Sequence, residues 1–151
     1  MSRTDPVPAG DGEVWRYEHP VVVVADDIDV VGHANNVVYL RWVQEAATAH
    51  WYAAVPPEVA ARTTWAVVRH EIDYKKPAFL GEHLVVQTWV GELSAATFER
   101  FCEVHRPADG QLLARTRTVW CVIDPNSGRP RRIDPTMVPY FYKDPPEARS
   151  S

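Results

Sequence analysis

The sequence predicts an α+β domain on three observations. One strand-like run comes first, one long helical run follows, and then four strand-like runs stand in succession with only turn-forming stretches between them. No further helix is expected to cross between parallel strands, so a doubly wound sheet is excluded. At 151 residues, 46% hydrophobic and 24% charged, the chain fits one domain built on one core.

Residues 1–12 carry Pro, Gly and Asp with few apolar side chains and are expected to be a flexible leader; 143–151 are expected to be a flexible tail. Residues 13–142 between them form the single domain. Glu13 to Ala25 reads as a strand, with Val14, Tyr17 and the β-branched run Val21 to Val24. Asp26 to Asn36 is a loop. Asn35 or Asn36 caps the helix that follows, since a short polar side chain accepts from a first-turn N–H that has no intrahelical partner. That helix runs from about Val37 to Ala54, where Pro56 and Pro57 stop it. Its apolar residues fall in two adjacent sets, Val38, Trp42 and Ala46 beside Tyr39, Val43 and Ala47, which predicts a helix covered on most of its surface. The four later strands are Ala66 to Lys75, Leu84 to Val90, Thr97 to Arg106 and Leu112 to Ile123. In the first of them Ala66, Val68, His70, Ile72 and Tyr74 share one face. The stretches GELS (Gly91 to Ser94) and PADG (Pro107 to Gly110) are short enough for antiparallel hairpins.

A net charge of −4 with scattered basic residues argues against a nucleic-acid surface. Two small basic groups, Lys75 with Lys76 and Arg129 with Arg131 and Arg132, suit either the phosphates of a small molecule or a solvated strand end. Cys102 and Cys121 lie in strand-like runs and read as buried reduced thiols. The N-terminus has no apolar signal core and no aliphatic run is long enough to enter a bilayer, so a cytoplasmic location without membrane insertion is expected. The six histidines show no His-x-x-x-His pairing, so no metal is expected.

The informative stretch is DIDVVGHANNVVYLRW, Asp27 to Trp42. It places two acids, a histidine and two asparagines immediately before the long helix, more polar groups than a turn and a cap require. Together with HEIDYKKPAFLGEHL, His70 to Leu84, it resembles the hotdog-fold thioesterases, in particular the 4-hydroxybenzoyl-CoA thioesterase-like group and the related acyl-acyl-carrier-protein thioesterases. The combination of Asp29 with Gly32, His33, Asn35, Asn36, Tyr39 and Trp42 carries the resemblance, which covers roughly residues 13 to 142.

The resemblance implies a curved antiparallel sheet of five or six strands wrapped around one long central helix. It also implies hydrolysis of an acyl-CoA or acyl-carrier-protein thioester without a cofactor, in a homodimer or homotetramer whose acyl site lies between subunits. Asp29 corresponds to the family's general base or nucleophile. The backbone N–H near Asn36 corresponds to the helix-start amide that polarises the thioester carbonyl, and His33 matches a histidine that acyl-carrier-protein thioesterases keep beside the acid. The sequence departs from those enzymes at Val31, where they carry asparagine.

That chemistry is physically consistent. Asp29 can take a proton from water or attack the carbonyl carbon itself, and unpaired amides at a helix start favour the charge that grows on the oxygen. A simpler role stands beside each residue: an Asx turn for Asp29 and an ordinary hydrogen bond for His33. Asp27 reads as a turn former or surface charge. Glu45 is a second acid candidate, better explained by an oligomer contact or a pair with Arg41 four residues earlier. Tyr39 and Trp42 are core rings or acyl-binding walls, and Lys75, Lys76 and Arg131 are candidate phosphate contacts. Rival functions are a hotdog hydratase or dehydratase and a non-catalytic acyl-thioester-binding protein. The first lacks its Pro-His pattern after the acid here, and the second would need no base at Asp29.

Overall fold

A computed structural model describes residues 13–142. Strand β1 (Tyr17–Val22) leads through a 3-10 turn at Ala25–Asp27 and a loop to helix α1 (Asn36–Ala54). A short helix α2 (Pro57–Ala61) follows, then β2 (Trp65–Tyr74), β3 (His83–Leu93), β4 (Thr97–Arg106), β5 (Gln111–Ile123), the two-residue β6 (Pro130–Arg131) and a 3-10 turn at Pro135–Phe141. The strands make one antiparallel six-stranded sheet in the order β1-β3-β4-β5-β2, with β6 on β5. This is the expected α+β hotdog architecture, a curved sheet around one long helix.

The sequence places α1 to within one residue at its start because its cap is local. The Asn35 side chain accepts from Val37 N–H at 2.9 Å, the Ncap role. Its buried residues, Tyr39, Trp42, Val43, Ala46, Ala47, His50, Trp51 and Ala54, recur at three- and four-residue steps. The two apolar sets thus merge into one wide stripe against the sheet. The expectation that most of the helix is covered is not met within this chain: Val37, Arg41, Gln44, Glu45, Thr48 and Tyr52 remain exposed.

A second correction concerns β2. The register with β5 slips between Val67 and Arg69, a bulge that exchanges the two faces of the strand. Trp65 before the slip packs edge-on against Trp51 of α1 at 5.4 Å, and Ile72 after it packs on the core, so Val68 does not share the face of His70 and Ile72 and stands exposed.

The core falls into two clusters along α1. One gathers Tyr39, Trp42, Val43 and Ala46 with Leu84, Val86, Cys102, Val104 and Leu113; the other gathers Trp15, Trp51, Val90, Phe98, Val122, Met137 and Phe141. On each inner strand the residues between the clusters are polar: Thr88 on β3, Arg100 on β4, Thr116 and Thr118 on β5. With His50 of α1 and His70 of β2 they form a polar belt beneath the helix.

Candidate active site

The loop that carries Asp29 is a small hairpin. Ile28 and Ala34 pair as an antiparallel bridge, Asp29 N–H donates to His33 O at 3.1 Å, and Gly32 N–H donates to Asp29 O at 3.0 Å. Gly32 closes the turn at φ +90°, a conformation that a residue with a Cβ adopts only at a cost. Val30 and Val31 at its tip are exposed.

Asp27 anchors this hairpin. It is 1% exposed, so it is no surface charge; its carboxylate accepts from Arg41 Nη2 at 2.8 Å and from Val24 N–H at 3.0 Å, and its carbonyl accepts from Asn35 N–H at 2.8 Å. One residue therefore ties the end of β1 to the start of α1. The second motif locks the same site from the other side: Ala34 N–H donates to Ala78 O at 2.8 Å. Arg106 in turn holds the Lys75–Glu82 segment through Pro77 O at 3.2 Å and Glu82 at 3.1 Å.

Asp29 is half-buried, and its Oδ1 accepts from Val31 N–H at 3.0 Å in an Asx turn. Among the described residues Oδ2 meets no donor. His33 is also half-buried. Its Nδ1 lies 3.3 Å from Ala34 O, and a carbonyl only accepts, so the neutral ring carries its proton on Nδ1 and keeps a lone pair on Nε2. The ring edge faces Phe79 at 6.3 Å. Asn36 is the first residue of α1, so its N–H has no intrahelical acceptor, while its carbonyl accepts from Tyr74 OH at 2.8 Å. Asp29, His33 and the Asn36 amide thus belong to one loop and the helix start into which it runs.

The other candidates separate. Glu45 is half exposed and pairs with Arg41 at 3.8 Å. Tyr39 and Trp42 are buried against each other at 5.0 Å, and burial holds the Tyr39 hydroxyl above its ordinary pKa. Lys75 and Lys76 are exposed just beyond Tyr74, at the loop end of the sheet. Arg131 pairs with Val122, which pairs with Trp65 at the opposite end of β2. The strand is about 30 Å long, so within one chain these cations cannot grip the same nucleotide. Among the described residues no three His, Cys, Asp or Glu side chains are grouped as metal ligands would be.

The structure also holds a cavity that no sequence motif announces. It has a volume of about 360 Å³ and lies along the C-terminal half of α1, between Gln44 and Tyr52 and the strands β2 to β5, with Trp51, Trp65, Phe98, Trp120 and Phe141 in its wall. Those helix positions lie about 12–24 Å along the axis from Asn36. Arg100 reaches it from the polar belt. Two signals stood in the sequence: a charged residue in the apolar phase Phe98, Cys102, Val104 of β4, and a histidine in the apolar stripe of α1.

The family model of the thioesterase-like superfamily matches residues 23–141. The chain belongs to that superfamily. Solved structures share the fold of this thioesterase-like chain: a 1,4-dihydroxy-2-naphthoyl-CoA thioesterase from Synechocystis, 21% identical, TM-score 0.72, covering 83% of this chain and 95% of that one. A 4-hydroxybenzoyl-CoA thioesterase complexed with 4-hydroxybenzoyl-CoA is 18% identical with a TM-score of 0.75, covering 83% and 98%. A Staphylococcus aureus protein in complex with CoA is 15% identical with a TM-score of 0.74, covering 89% and 88%. No curated relative matches the sequence.

Proposed function

We propose that the protein hydrolyses an acyl thioester of CoA or of an acyl carrier protein to the free acid and the thiol. The observation that carries this reading is the thioesterase-like family match over residues 23–141. It encloses the loop on which Asp29 precedes the unpaired Asn36 amide at the start of α1. In the proposed step Asp29 takes a proton from water, whose oxygen attacks the carbonyl carbon. The C–S bond then breaks, and the thiolate leaves with the proton from Asp29. Alternatively the carboxylate attacks directly, expels the thiolate and leaves a mixed anhydride for water to open. The Asn36 amide and the helix dipole stabilise the oxyanion, and His33 orients the water. The free Oδ2 of Asp29 and the Nε2 lone pair of His33 support these roles.

Lys75 and Lys76, beside the loop, are the proposed contacts for the nucleotide or pantetheine phosphates. The protein acts as a homodimer or homotetramer. Supporting this are the exposed apolar residues Val30, Val31, Val37, Phe79 and Leu80 around the loop, and β2, whose outer edge has no partner strand among the described residues. The test is thiol release from a panel of short, long and aromatic acyl-CoAs and their carrier-protein counterparts, with enoyl-CoA hydration as the control. Turnover of any thioester is the expected result; inert thioesters throughout, or hydration alone, would contradict the proposal.

A further inference from the structure

We propose that the cavity beside the C-terminal half of α1 binds an organic carboxylate, with the Arg100 guanidinium holding the carboxylate and the rings of Trp51, Trp65, Phe98 and Phe141 holding its hydrocarbon body.

Arg100 is 6% exposed, and its engaged nitrogen, Nη1, meets only neutral acceptors: His50 Nδ1 at 2.9 Å and Thr88 Oγ1 at 2.8 Å. His50 stays neutral because burial, and then the charge of Arg100, push its pKa down to about 2. Among the described residues no carboxylate lies within ion-pair distance of Arg100. The adjacent acid, Glu99, also lines the cavity, but its carboxylate accepts from Arg117 Nε at 2.6 Å and from Glu92 N–H at 3.0 Å rather than from Arg100. A guanidinium taken out of water without a counter-ion is costly. Burial lowers the Arg100 pKa to about 10, which still leaves it charged at neutral pH.

Two features make this charge a site rather than a defect. Arg100 lines the cavity, and among the described residues its hydrogen bonds, to His50 and Thr88, both use Nη1 and leave Nε and Nη2, the two parallel donors of its fork, for a ligand. In the same wall Trp120 presents a buried indole N–H with no acceptor. A carboxylate presents two oxygens at the spacing of the guanidinium fork, with lone pairs left for a second donor. The surrounding aromatic wall favours a ring or short alkyl body, and the volume lies within the range of small-molecule sites. This site lies well down α1 from Asp29 and does not depend on hydrolysis there.

The test is equilibrium binding of benzoate, 2-naphthoate and octanoate, each against its primary amide, followed by calorimetry and by the fluorescence of the wall tryptophans. The acids are expected to bind at least about tenfold more tightly than the amides, the worth of one charge-assisted hydrogen bond. Arg100→Met should abolish that preference, and Asp29→Asn should leave it unchanged. Absence of binding by every acid at millimolar concentration, equal binding of acid and amide, or a preference that survives Arg100→Met would overturn the proposal. Should Arg100→Met not fold, the acid-to-amide ratio of the wild type decides alone.

Discussion

The two ends of α1 solve opposite problems. At its N-terminus the chain is held by backbone bonds, Asp29 to His33, Ala34 to Ala78, Asn35 to Asp27, so that the side chains of the loop and the Asn36 amide stay open. At its C-terminal half the backbone is regular helix and sheet, and the polar groups are side chains sealed between rings: His50, Arg100, Thr88 and Thr118. The difference teaches where each kind of chemistry belongs. A growing oxyanion needs fixed amide donors, which only chain ends and helix starts leave unpaired. A selective cavity needs converging side chains, which only a sheet face and a helix stripe bring together.

The contrast breaks most visibly at Asp27. Asp27→Ala strands the Val24 N–H and frees Arg41, and it should cost about 3 kcal/mol in denaturant unfolding because a buried, charge-assisted pair of bonds is lost. A loss below 1 kcal/mol, on the order of a surface contact, would mean that the loop is not anchored there.

The far end should announce itself through pH. Unfolded His50 titrates near 6.5, while the folded ring stays neutral down to about 2. Between these values the unfolded chain takes up a proton that the folded chain refuses, so stability falls as pH falls, by about 1.4 kcal/mol per unit from this group. His50→Gln keeps an acceptor for Arg100 and removes the titration. From pH 6.5 to 5 the wild type should therefore lose about 2 kcal/mol more than the variant. Parallel stability profiles would refute the buried neutral histidine.

The same contrast explains what the sequence revealed. The start and stop of α1, the bounds of β4 and the turn from Pro107 to Gly110 depend on Asn35, Pro56 and Gly110, whose effects are local and hence legible. The turn expected from Gly91 to Ser94 falls later, between Ser94 and Thr97, because β3 runs on through Gly91 to Leu93, where Leu93 pairs with Phe98. The motif loop was legible because its residues are consecutive. The bulge at Val67–Arg69 was not, since it answers to the pairing of β2 with β5, and a strict alternation placed Val68 on the wrong face. The cavity was illegible for the same reason: its wall runs from Gln44 to Phe141 and exists only after six elements meet. Even so, Arg100 and His50 each broke an apolar phase, and such breaks are the trace that a tertiary site leaves in sequence.

The smallest effect belongs to Glu45. Its pair with Arg41 is solvent-exposed and loose at 3.8 Å, so Glu45→Gln should change unfolding free energy by less than about 0.5 kcal/mol and leave turnover intact. A large loss of turnover in that variant would move the chemistry from the loop to the helix.

The most direct measurement compares thiol release by wild type and by Asp29→Asn on whichever thioester the wild type turns over fastest. Asparagine keeps the Oδ1 acceptor for Val31 N–H and so preserves the turn while removing the base. A fall in kcat of at least about a hundredfold, with unchanged unfolding, is the predicted result. Full activity in the folded variant would contradict the central claim that Asp29, set against the start of α1, carries the reaction.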